Sequence, residues 1–195
     1  SSAFFLTENG MNALLDTYNQ PQDSAVEESD YRSIGIIDDA FKIHADRIRS
    51  RIDIDAIRAA KLKVAADCCN GVGAYYTKEF LESLGCEVIP LFEEKDGLFR
   101  RPPEPVAANL AKLCETVTAT ACAVGFAQDP DGARISLVDE CGHALGEQYS
   151  TLIPALRVLQ RNRGPVVANI QTTKALGDLA ARFDVPVFYS KVGEE

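Results

Sequence analysis

No apolar run in this sequence approaches the roughly 18–20 residues needed to cross a bilayer, and the amino end SSAFFLTENG lacks the basic stretch and long apolar segment of a secretion signal. The expectation is a soluble, cytoplasmic protein. Positive charge is scarce as well: 20 Lys+Arg stand against 29 Asp+Glu, a formal net charge of −9. Such a surface repels phosphate backbones and anionic lipid, so neither nucleic acid nor membrane is expected as a partner. The six cysteines, at 68, 69, 86, 114, 122 and 141, include no C-x-x-C pair and no companion histidine spacing. Zinc and a disulfide framework therefore both read poorly, and reduced, buried thiols are the default. An initiator Met is missing too, since the chain opens at Ser1, and the expectation is a piece of something longer.

What is present is ordinary globular material: 195 residues, 46% hydrophobic and 25% charged, enough for one large or two small domains with a real core. A short helical pattern at Gly10–Tyr18 gives way to the polar stretch NQPQDSAVEESD, a linker by composition. Phe41, His44, Ile48 and Ile52 then share a helical stripe, and Asp53 is placed to cap a short helix through Ala60. From Lys63 a strand KVAAD, a turn CCNGVG, a helix ending at Gly85 and a strand CEVIPLF make a β-α-β unit. Val106, Leu110, Leu113 and Val117 mark the next helix, followed by strand ACAVGFA, loop QDPDGAR, strand ISLVD and a hairpin at ECGH. A helix carrying Tyr149, Leu152, Ile153, Leu156 and Leu159 follows, with Pro154 assigned to its first turn. GPVVANIQTTKALGDLAARFDVPVFYSKVG then repeats the order of the block beginning at Leu62. The fold class expected is α/β, a three-layer arrangement with helices on both faces of a sheet, plus a partial second α/β module.

The segment with the most chemistry is Asp129-Pro130-Asp131-Gly132-Ala133-Arg134, at the carboxyl end of an apolar strand, where open α/β sheets meet ligands. Asp129 and Asp131 can converge on a hard cation such as Mg²⁺, and Arg134 can pair a phosphate; a plain Pro-Asp-Gly turn explains the same residues about as well. An EF-hand fails, because Gly falls at loop position four and Ala133 takes a ligand position. NGVGAY at Asn70–Tyr75, with Glu93 or Glu94 as a ribose acid, suggests a nucleotide site, but Tyr76 replaces the third glycine, so a tight structural turn is preferred. Arg100 and Arg101 read as solvated, His44 and His143 as structural, and Lys191 as a strand-end lysine near which a substrate anion could lie.

In order and spacing, KVAADCCNGVG, EVIPL, DGLFRRPPEP, VGFAQDPDGAR, SLVDECG, GPVVANIQTTKAL and YSKVGE resemble the α-D-phosphohexomutase family, from about Ile34 to Glu195. The resemblance implies a fragment: residues 1–33 as the tail of domain one and a linker, 34–146 as domain two, and 147–195 as the first half of domain three. It implies that the parent enzyme, an isomerase, moves a phosphoryl group between C1 and C6 of a hexose phosphate through a phosphoserine and a bisphosphate. Asp129 and Asp131 match two of the three aspartates of the family's Mg²⁺ loop, Arg134 its arginine, and Lys191 the lysine of its T-K-V-G segment. The third aspartate is Ala133 here, which implies weak or absent Mg²⁺ binding, and the family's serine segment is missing, so the fragment alone is expected to be inactive. The alternatives are a degenerate paralogue that binds sugar phosphate or a protein partner without chemistry, and, further off, a Rossmann-type nucleotide module. The partner implied is hexose phosphate, with self-association through the truncated third module as a further expectation.

Overall fold

The computed structural model describes residues 6–20, 33, 35, 37 and 39–192. Most of the polar linker and the last three residues lie outside the described residues. Helix α1, Glu8–Tyr18, is capped by the Thr7 hydroxyl, which accepts from the Gly10 amide at 3.3 Å. Helices α2, Ala40–Arg49, and α3, Ile54–Ala60, follow, the latter capped as expected by Asp53 accepting from the Ala56 amide.

Four strands form the main sheet: β1, Lys63–Asp67; β2, Glu87–Leu91; β3, Val124–Gln128; and β4, Ile135–Val138. The order is β2-β1-β3-β4, with β1 parallel to both neighbours and β4 antiparallel to β3. The two parallel crossovers are α4, Gly73–Ser83, and α5, Ala111–Ala119. They cover opposite faces. Side chains alternate along β1, so Ala65 packs with Leu110, Leu113 and Val117 on the α5 side, while Val64 and Ala66 pack with Val88 and Leu81 on the α4 side. Gly125 lets α5 approach β3 closely: a Cβ there would come within 2.8 Å of Val117 Cγ2. The three-layer α/β expectation describes this domain.

The chain then enters α6, Glu147–Arg161, followed by β5, Val166–Asn169, α7, Ala175–Arg182, and β6, Val187–Ser190, the two strands pairing in parallel as a separate small sheet. Val167, Ile170, Phe188 and Tyr189 on and beside this sheet are well exposed.

Three local expectations are corrected. Pro154 lies mid-helix rather than in a first turn, because α6 begins seven residues earlier at Glu147; its missing N–H leaves the Ser150 carbonyl without the usual helical donor. The helix expected from Val106 opens instead as a 3₁₀ turn, Ala107–Asn109, with the α-helical path resuming after Leu110, so Val106 is exposed. Asn109 holds this tighter start by donating to the Glu104 carbonyl at 2.9 Å. His44 is exposed rather than inward, and Ala45 is the buried member of α2.

Candidate functional site

The Asp129–Arg134 loop leaves the carboxyl end of β3 and turns back into β4. Gly132, at φ +73°, takes the left-handed position that a side chain would strain, and its amide donates to the Asp129 carbonyl at 3.1 Å. Asp129 is buried, and both its oxygens face Arg134: Oδ1 accepts from the Arg134 amide at 3.0 Å and Oδ2 from Nε at 2.9 Å. Burial alone would push the Asp129 carboxyl up, but the Arg134 amide and guanidinium outweigh it and hold the group below the usual carboxylate range. Asp131 is exposed, and its Oδ1 accepts from the Ala133 amide at 3.0 Å. The Arg134 side chain is 52% exposed, and among the described residues its two terminal nitrogens make no hydrogen bond.

The loop is seated on the turn after β1. Cys69 and Asn70 both take positive φ, which turns the chain sharply, and the Val72 amide donates to the Pro130 carbonyl at 2.8 Å. A Cβ on Gly71 would come within 2.6 Å of Pro130 Cα, and one on Gly73 would collide with the Gln128 side chain. The glycines of NGVG therefore make room for the neighbouring loop. Pro130 lies where a phosphate cradle would need open space, which favours the structural-turn reading over the nucleotide one. Glu94 is engaged from inside the fold, its Oε2 accepting from Asn70 Nδ2 at 2.7 Å.

Arg101, expected to be solvated, is a correction: it is buried against Asp67. Its Nε and one terminal nitrogen donate to Asp67 at 2.8 and 3.0 Å, and that same nitrogen donates to the Gln128 carbonyl at 2.7 Å, one residue before Asp129. The second terminal nitrogen is taken by the Pro102 and Pro103 carbonyls. A buried carboxylate needs such a partner, and Asp67 at the end of β1 was the signal sequence reading passed over. Lys191 follows β6 on the other sheet; among the described residues no hydrogen bond or ion pair joins it to the loop. The structure thus brings Asp129, Asp131 and Arg134 together and leaves Lys191 separate.

A family profile described as phosphoglucomutase/phosphomannomutase, alpha/beta/alpha domain II, matches residues 42–142. The chain belongs to this family. A Thermococcus kodakarensis protein named phosphoglucomutase/phosphomannomutase is 34% identical over 159 residues, 80% of this chain and 35% of the relative. A phosphomannomutase/phosphoglucomutase of Pseudomonas syringae pv. tomato is 37% identical over 137 residues, 69% of this chain and 30% of the relative. The crystal structure of a phosphoglucomutase/phosphomannomutase family protein from Burkholderia thailandensis superposes with a TM-score of 0.61 at 26% identity, covering 76% of this chain and 33% of that one. The chain spans about a third of the length of these relatives.

For a family identified with Mg²⁺, the donor set of this phosphohexomutase loop is thin. Asp129 spends both oxygens on Arg134, Asp131 spends one on a backbone amide, and position 133 offers a methyl group. Mg²⁺ demands near-ideal oxygen geometry and gives up water reluctantly, so these residues alone do not fit a Mg²⁺ cage.

Proposed function

We propose that the chain is the central part of a phosphohexomutase, an isomerase that carries a phosphoryl group between C1 and C6 of a hexose phosphate by way of a phosphoserine and a bisphosphate. In that reading residues 1–33 close domain one and lead out of it, 34–146 are domain two, and 147–195 open domain three. The observation that carries the reading is the state of Arg134: Asp129 grips it at Nε, while among the described residues its terminal nitrogens have no partner, and the side chain is half exposed at the carboxyl end of the parallel strands. A planar fork held at one corner is pre-organised for two phosphate oxygens. Asp129 is then a positioning residue, and Lys191 a second cation supplied from the other sheet. The uncaged carboxylate of Asp131 weakens anion capture unless a cation accompanies the substrate.

The nucleophilic serine segment is supplied elsewhere in this proposal, so the 195 residues alone turn over no substrate. A coupled assay with glucose 1-phosphate and catalytic glucose 1,6-bisphosphate tests this: turnover is expected from a longer protein that joins this chain to the rest of the family's domains. Turnover by the 195 residues alone, or none from the longer protein, contradicts the reading.

Ala133 favours a second reading, a sugar-phosphate-binding paralogue without chemistry. Ala133→Asp in the longer protein separates the two, since activity appearing only with Asp supports the paralogue and activity already present with Ala133 removes it. We also infer that the exposed sheet face carrying Val167 and Phe188, which pair across the two strands, is covered by self-association when the chain is alone. Sedimentation of a monomer at every concentration contradicts that.

A further inference from the structure

The hairpin after β4 brings together side chains that the sequence reading had separated. Among the described residues one group of three possible metal ligands converges: Asp139, Cys141 and His143, whose ligand atoms all lie within 4.8 Å of one another. A companion histidine for one cysteine does exist, two residues away across a turn. We propose that Asp139, Cys141 and His143 form a site for a zinc-class divalent ion, with its fourth position open.

The donor chemistry selects the metal. A thiolate and an imidazole suit Zn²⁺ and Co²⁺ and are poor ligands for Mg²⁺ or Ca²⁺. His143 Nδ1 lies 3.2 Å from Asp139 Oδ2, close to the roughly 3.4 Å edge of a tetrahedron with arms of about 2.1 Å. The ion takes the place of the hydrogen shared by those two atoms, which passes through solvent to Nε2 of the same neutral imidazole, and the Cys141 thiol proton leaves to solvent. Cys141 is the exposed cysteine, in contrast to the buried Cys68, Cys69 and Cys122, so its sulfur is free to rotate onto the ion.

The backbone holds the donors ready. Asp139 Oδ1 accepts from the amides of Cys141 at 3.0 Å and His143 at 2.8 Å, which leaves Oδ2 as the donor oxygen and fixes its direction. The Asp139 amide donates to the His143 carbonyl at 3.0 Å, closing the turn. Gly142, at φ +81°, packs against α5 so tightly that a Cβ would come within 2.7 Å of Thr118 Cγ2 and 2.9 Å of the Cys114 carbonyl oxygen. The site is thus pinned to the core at the end of β4 opposite Arg134, and it stands whether or not the mutase reading does.

Titration of the whole chain with Co²⁺, followed by absorption, tests the proposal. One equivalent is expected to bind with a thiolate-to-cobalt charge-transfer band, and Zn²⁺ is expected to bleach it. Cys141→Ser should abolish the band, and His143→Ala should weaken affinity by about tenfold or more, while Arg134→Ala leaves both unchanged. Circular dichroism of each variant confirms that it folds. Absence of saturable uptake, or an undiminished band in Cys141→Ser, overturns the proposal.

Discussion

Arg101 and Asp67, 34 positions apart in the chain, form a two-bonded ion pair whose side chains are 5% and 1% exposed. Arg101 also holds the Gln128 carbonyl, so one guanidinium ties the end of β1, the proline-rich loop and the end of β3 into a single platform under Asp129. Removing one member of a buried pair strands the other charge, which costs about 3–5 kcal/mol. Arg101→Met should lower stability by that amount in urea unfolding, and Asp67→Asn added to it should recover part of the loss. A cost below about 1 kcal/mol, the range of an exposed pair, contradicts the clamp.

Gly71→Ala tests how the loop is seated. The new methyl meets Pro130 backbone, which cannot step aside cheaply, and overpacking of this kind costs about 1–3 kcal/mol. Gly164→Ala is the control, since nothing lies within 4 Å of its Cβ position; it should stay within about 0.5 kcal/mol of the parent. Equal effects at both sites would remove the steric argument.

Much of this was legible from local pattern, and the misses have different causes. The short apolar run of KVAAD, the turn glycines and the Asp53 cap are local facts, and they placed β1, α3 and α4 correctly. Arg101 looked solvated because its partner lies 34 residues upstream, and a charge pair closed by tertiary structure leaves no periodic trace. The loop at 129–134 was visible as a candidate, but not that Asp129 would turn its carboxylate onto Arg134. His143 and Cys141 were weighed separately, although an alternating D-x-C-x-H across a turn was the available signal.

Asp129 sets an acid limit. Its carboxyl sits below its ordinary value of about 3.9, so the folded state binds its proton less readily than the unfolded chain. The stabilisation is complete above about pH 4 and is lost as pH falls through the depressed folded value. Asp129→Asn should therefore be less stable than the parent at pH 7 by about 1.5–3 kcal/mol, the range for a hydrogen-bonded charge. The two should converge in strong acid, and a gap that widens on acidification contradicts the assignment.

Because Pro130 fills the space over Gly71, NAD and ATP should leave the melting temperature unchanged in thermal scans. A saturable rise with either nucleotide would restore the nucleotide reading.

The most direct check on the central claim, that the loop after β3 meets phosphate through Arg134, is an amide NMR titration of this chain with glucose 1,6-bisphosphate. The account predicts saturable shifts at Ala133 and Arg134 that disappear in Arg134→Ala. Shifts confined to other parts of the chain, or unchanged by that substitution, would contradict it.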